Sequence, residues 1–274
     1  MHMSLRYLPS LDRWPESLAI LYRYRVLLWA MIVQSLRDRI AGSAAGMLWL
    51  AVYPLLFLGM YTLVFVVILQ VRVPELNSST YVLSIFCALV PFLAFAESFA
   101  SGTVSLSSSG SIVKNKLFPV ELVPVKEVIA GHTYMAFGLI MMLVVAIVFD
   151  GIHLTQVLLP VFYVLQIAMT IGLVWITSTV NVFFRDVGKI APILVLFLML
   201  VSPIAYTSEM VPPNMAPFLM INPLVVFINI YRKILLDGTI PLWEVAIAIA
   251  LSVALYTLGY HLLSRLKPMV SDYV

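Results

Sequence analysis

The stretch PFLAFAESFASGTVSLSSSGSIVKNKLFPVELVP, residues 91–124, decides the reading of the chain. It passes from membrane-like composition into a basic loop edged by proline. The first part is apolar and aromatic with one acid, Glu97; the middle is rich in serine; the end carries Lys114, Lys116 and Glu121, with Lys126 just beyond. Pro119 and Pro124 bracket a short polar helix or turn. Here a helix made for hydrocarbon meets a polar face.

The surroundings have the same character. Hydrophobic residues make up 62% of the 274 residues and charged ones 11%, with a mean hydropathy of +1.05. Soluble domains run at about 45–50% apolar and about 25% charged, so the chain reads as an all-α polytopic membrane protein. The polar leader with Arg6, Asp12, Arg13 and Glu16 lacks the apolar core of a signal peptide, and no cleavage is expected. The single cysteine, Cys87, excludes an intrachain disulfide and reads as a buried structural residue. His2, His132, His153 and His261 are scattered over ends and loops without metal-ligand spacing, so no metal site is expected. No G-x-x-x-x-G-K-[ST] loop is present to cradle ATP, and no serine or cysteine nucleophile has a base partner. The reading is of a chain without catalytic residues.

Residues 17–40 hold an uninterrupted apolar run only from Val26 to Val33, too short for a core that needs about 20 residues. Arg23, Arg25, Arg37 and Arg39 flank its aromatic and aliphatic positions, as in an amphipathic helix lying in the membrane surface. A plain juxtamembrane anchor has the same composition. Spans follow at 47–70, kinked at Pro54, and at 81–101, interrupted by Pro91 and Glu97. The polar segment 108–131 comes next, then spans at 132–149, 157–180, 190–206 and 244–264, six in all. Residues 211–230 are apolar, yet Pro212, Pro213, Pro217 and Pro223 forbid a continuous helix. Broken backbone at membrane depth needs protein or a watery cavity around it, so a re-entrant hairpin with its two arms meeting near Asn222 and Pro223 is expected.

Six spans put both termini on one side. Positions 1–46, 108–131, 181–189 and 265–274 hold six, three, two and two basic residues, leaving Arg72, Arg232 and Lys233 for the opposite loops. The positive-inside rule makes the termini and the Pro119 loop cytoplasmic. Glu97 is the one acid expected within hydrocarbon; it has a gating role, or it pairs with Arg37 or Arg39 or caps a neighbouring helix. Trp49, Tyr53, Phe57, Tyr61 and Phe65 recur at every fourth residue, a stripe that winds slowly around its helix. Such rings suit sliding contact with a polar, uncharged chain such as a glycan; lipid-facing or packing aromatics would look the same residue by residue.

Several of these segments resemble the membrane subunits of type-2 ABC exporters. Phe118, Pro119, Glu121 and Pro124 match their "fP-x-E-x-x-P" coupling sequence, and RDRIAGSAAGMLW resembles their "RY-x-x-S-x-L-G-x-x-W" opening, with Ile40 and Ala41 departing from it. Asn181, Phe184, Arg185 and Asp186 resemble "N-x-x-FRD"; Ser202, Pro203 and Tyr206 resemble "SPI-x-Y"; Asn222, Pro223, Tyr231 and Arg232 resemble "NP…YR".

The resemblance implies a permease for polysaccharides or lipid-linked glycans, as in O-antigen, capsule and teichoic-acid export, with drug or lipid export as the alternative. It implies a homodimer in the bacterial inner (plasma) membrane, in contact with membrane lipids and not with nucleic acid. Two copies of a separate ATPase subunit would hold ATP and Mg, and this chain would carry no cofactor. A gating helix is implied at 17–40. A cytoplasmic coupling helix is implied between the second and third spans, with Lys114, Lys116, Phe118, Pro119, Glu121 and Pro124 docking the ATPase. The stripe would line the path; Arg37, Arg39, Glu97, Arg185 and Asp186 would serve gating or structure; Pro203, Tyr206, Asn222 and Pro223 would close the outer exit.

Overall fold

A computed structural model describes residues 14–42, 46–71, 77–114, 117–207, 210–212, 214, 219 and 222–273. Among these, every regular element is helical. α1 (Trp14–Arg23) and α2 (Arg25–Ile40) divide the expected surface helix at Tyr24. α2 buries Leu28, Ile32 and Ser35, a stripe at i, i+4 and i+7, and packs on α6; α1 packs on α10, where Ser17 Oγ donates to Tyr256 Oη at 3.1 Å.

α3 (Trp49–Tyr61) continues into a π-helical segment, Thr62–Ile68. α4 (Ser78–Ser108) has 31 residues, about 46 Å at 1.5 Å per residue. It is buried on all sides over most of its length, the form expected of a helix that is apolar all round, and it packs against α3, α6, α7, α8 and α9. Pro91 sits inside it, and the Pro91 carbonyl takes a 2.8 Å bond from Gln166 Nε2.

The single turn α5 (Gly110–Val113) leads into the Pro119 turn, and α6 runs from Leu122 to Phe149. Residues 122–131, expected to belong to the coupling segment, are the first turns of this helix. Pro124 lies in its opening turn, where a missing N–H breaks no intrahelical bond, so it starts a helix and does not stop one. α7 (Leu159–Phe183) and α8 (Asp186–Val201) follow, then α9 (Pro223–Arg232) with a π-helical tail to Asp237, and α10 (Leu242–Tyr273).

Among the described residues five helices are long and apolar enough to cross a membrane: 46–68, α4, α6, α7 with its leading 3₁₀ turn, and α10. The expected fifth span, 190–206, is a different object. α8 has 16 residues and ends at Val201 because Ser202 precedes Pro203 and is extended, ψ 141°, a conformation that a following proline favours. The sixth helix, expected to stop at 264, runs on to Tyr273. Arg72, Pro213, Pro217 and most of the first arm of the expected hairpin lie outside the described residues.

α7 and α10 pack backbone to backbone. A Cβ on Gly172 would strike the Leu255 carbonyl, and one on Gly259 would strike the Gly172 carbonyl. Small residues at both positions let the two backbones touch, the device by which helices pack in lipid. At the end of the bundle opposite the Pro119 turn, Thr155 Oγ1 and Gln156 Nε2 donate to the carbonyls of Ile234 (2.6 Å) and Leu235 (3.2 Å). Gly238, with φ +63°, closes that tail against the His153 ring.

Candidate functional site

At the Pro119 turn the sequence motif separates into a covered half and an open half. Pro119, Glu121 and Pro124 are buried, Phe118 is half-buried, and Lys114 and Leu117 are exposed, Leu117 by 90%. Lys116 lies outside the described residues. Glu121 therefore faces the bundle: its Oε1 accepts from Lys267 Nζ of α10 at 2.8 Å, and its carbonyl accepts from Trp175 Nε1 of α7 at 3.2 Å. The open edge consists of Lys114, Leu117 and the outer side of Phe118.

Next to the turn, Arg39 ties α2 to two other helices. Its guanidinium pairs with Glu97 of α4, donates to Ser101 Oγ at 3.3 Å, and reaches Glu127 of α6 at 3.3 Å. Lys126 also pairs with Glu127 at 3.1 Å, and Ser35 Oγ donates to it at 3.4 Å. Of the two arginines expected as partners of Glu97, Arg39 takes the position; Arg37 is exposed and makes no ion pair among the described residues. Glu127, absent from the sequence-based site, completes the junction. Its signal was present: an acid directly after Lys126.

Arg185 and Asp186 sit at the α7–α8 corner and are both exposed; Asp186 meets Lys189 at 3.1 Å with both side chains about 80% accessible. Such a pair contributes about 0–1 kcal/mol. The corner is held instead by Asn181, the first residue of the same motif. Its Oδ1 accepts from the Gly188 N–H at 2.7 Å, and its Nδ2 donates to Ser107 Oγ of α4 at 2.9 Å.

The aromatic stripe of α3 turns mainly inward. Tyr61 is buried; Tyr53, Phe57 and Phe65 are half-buried against the core; Trp49 is 38% exposed. Tyr53 and Phe57 have centroids 5.0 Å apart, and Tyr61 and Phe65 stack at 5.4 Å. The outward face carries Val52, Leu55, Leu56 and Met60. A second aromatic surface lies elsewhere: Phe95 and Phe99 of α4, stacked at 5.3 Å, border a cavity of about 400 Å³ with Leu173, Phe197, Val201 and Pro223.

The SPI-x-Y and NP…YR motifs come together. Asn222 caps α9 by accepting from Leu224 N at 3.0 Å and donates through Nδ2 to Ser202 Oγ at 2.8 Å. Pro203 and Asn222 are buried, and Tyr206 and Pro223 are half-buried. Arg232, counted from sequence among the outer-loop residues, is instead folded in at the end of α9. It donates to the carbonyls of Ile204 (2.6 Å), Tyr206 (3.2 Å) and Ser84 (3.2 Å), pinning the irregular segment after α8 to α4. A charge within an apolar stretch was the signal for it. His132, expected at an end, is buried inside α6 against Ser98 Oγ at 2.9 Å. Among the described residues no group of three His, Cys, Asp or Glu side chains could hold a metal ion.

This architecture has known relatives. The profile of the ABC-2 type transporter family matches residues 26–236. The chain is 28% identical over 233 residues to an O-antigen export system permease protein RfbA of Myxococcus xanthus, covering 84% of this chain and 88% of that one. It is 26% identical over 246 residues to an RfbA of Klebsiella pneumoniae, covering 88% and 92%. To the polysialic acid transport protein KpsM of Escherichia coli it is 25% identical over 224 residues, covering 79% and 83%. The family match runs from the start of α2 to the tail of α9, well over half of the chain, and the chain belongs to the ABC-2 type transporter family.

Proposed function

We propose that this chain is the membrane subunit of an ATP-driven exporter that moves a polysaccharide or a lipid-linked glycan out of the bacterial cytoplasm. Similarity along most of its length to permeases named for O-antigen export carries the cargo class and sets it above a drug or lipid cargo. With no phosphate loop in the sequence, ATP and Mg belong to a separate ATPase subunit, two copies per complex. The basic loops set the orientation, with both termini and the Pro119 turn in the cytoplasm and the protein in the inner (plasma) membrane.

In this reading the ATPase seats on Lys114, Phe118 and the open side of the turn, while Pro119, Glu121 and Pro124 hold the turn's shape from within. α8 with residues 202–206 makes the fifth of six crossings. The aliphatic outer faces of α3 and α8 are left to lipid and to a second copy of the chain. Trp49, Tyr53, Phe57 and Phe65 border the path with their accessible edges, and Tyr61 serves mainly packing. Arg39 with Glu97 holds the surface helix as a gate, Arg185 and Asp186 mark the cytoplasmic corner, and Pro203, Tyr206, Asn222 and Pro223 close the exit.

The experiment is purification of the tagged chain from its own host. An ATP-hydrolysing subunit should co-purify, and the chain stripped of it should hydrolyse no ATP. Hydrolysis by the stripped chain would contradict the assignment.

A further inference from the structure

Lys267 lies beyond the point at which hydropathy closes the last span, on the part of α10 that returns to the Pro119 turn. Its ammonium stands 2.8 Å from Oε1 of Glu121, a carboxylate only 3% exposed. The other oxygen, Oε2, has no partner among the described residues. The charge of Glu121 therefore depends on one ammonium, and a buried carboxylate stripped of its counter-ion is strongly unfavourable.

The same residue is held from a second helix. Its carbonyl accepts from Trp175 Nε1, and the Trp175 ring is fully buried between Tyr256 and Tyr260 of α10, with centroids 4.9 and 5.6 Å away. α7 and α10 are themselves in backbone contact through Gly172 and Gly259. The turn cannot be displaced without moving α10 or stranding a charge.

We propose that Lys267 is a positioning residue for transport: through Glu121 it makes the docking turn move as one body with α7 and α10, so that force applied at the turn reaches the membrane-embedded pair. The inference rests on the turn being the ATPase contact. It adds to that contact a transmission element on the last helix.

The test uses the whole complex in a strain lacking the chromosomal copy. Surface carbohydrate is quantified by periodate–hydrazide labelling, ATP hydrolysis is measured in vesicles from the same cells, and co-purified ATPase subunit is measured separately. Lys267→Met should retain the ATPase subunit and its hydrolysis while carbohydrate exported per ATP falls about fivefold or more. Lys267→Arg, which keeps the charge, should stay near wild type. An unchanged ratio in an accumulating Lys267→Met overturns the inference while leaving the docking assignment intact; loss of the ATPase subunit from Lys267→Met also counts against it, because the residue would then serve assembly.

Where Lys267→Met does not accumulate, Lys267→Arg and the exchanged pair Glu121→Lys/Lys267→Glu decide. Export per ATP near wild type in Lys267→Arg, with the exchanged pair regaining both protein level and at least part of that ratio, supports transmission. A lowered ratio in Lys267→Arg, or an exchanged pair that does not regain both, reduces the contact to a brace and overturns the inference.

Discussion

Arg39 is the side chain that ties α2 to both α4 and α6. One guanidinium, 16% accessible, pairs with Glu97 and Glu127 on two different helices, so removing it leaves Glu97 without its counter-ion and Glu127 with Lys126 alone. Charged hydrogen bonds of this kind contribute about 1.5–3 kcal/mol, and partial exposure lowers that figure, so Arg39→Met should cost about 1–2 kcal/mol. Arg37→Met, at an exposed position, should stay within about 0.5 kcal/mol. Thermal unfolding of the two purified variants in detergent checks the contrast; equal midpoints would mean that the junction carries no load. Sequence alone left Glu97 a gating role, a helix cap or a pairing with Arg37 or Arg39, and could not choose between the two arginines. The choice depends on which arginine the buried stripe Leu28–Ile32–Ser35 rotates toward α4 and α6. Arg232 was harder to place, because its three partners are backbone carbonyls and carbonyls leave no mark in a sequence.

Element boundaries follow caps and neighbours, which explains where hydropathy succeeded and where it failed. It found the apolar stretches of the five long helices because burial in lipid demands about 20 apolar residues wherever a helix crosses. It started α6 ten residues late because Lys126 and Glu127 look like loop residues, although both are paired on the flank of a regular helix. Pro124, expected with Pro119 to bracket a short polar helix or turn, lies in the first turn of α6. In the opening turn its substitution should be mild, at most about 1 kcal/mol through unfolded-chain entropy for Pro124→Ala. Gly259→Val has the opposite expectation. Its side chain would meet the Gly172 carbonyl, and overpacking of that kind costs about 1–3 kcal/mol. Detergent-solubilised yield and unfolding temperature should leave Pro124→Ala near wild type and lower both for Gly259→Val. The reverse order would refute the close packing of α7 on α10.

Over its described residues the molecule is a bundle around α4 with few charges, and the turn end holds Lys114, Glu121, Lys126, Glu127 and Lys267. The class and order of the segments were legible because the hydrocarbon phase constrains composition so strongly. The Pro119 turn was legible only as a motif. Its division into a buried half and an open half is a three-dimensional fact, set by Lys267 arriving from a position 146 residues away. That division makes a prediction: Leu117→Asp with Lys114→Glu, both exposed, should leave the chain folded in the membrane but free of its ATPase subunit, as read by co-purification. Full retention of the subunit by this variant would move the docking surface elsewhere.

The central claim is that this chain and a separate ATPase together carry a glycan across the membrane. The direct measurement is surface carbohydrate in a strain deleted for this gene and supplied with the chain, either with its native ATPase or with that ATPase unable to hydrolyse ATP. The account predicts carbohydrate on the surface only in the first strain, with glycan retained inside the cell in the second. Equal surface carbohydrate in the deleted and complemented strains, with no retained glycan, would contradict it.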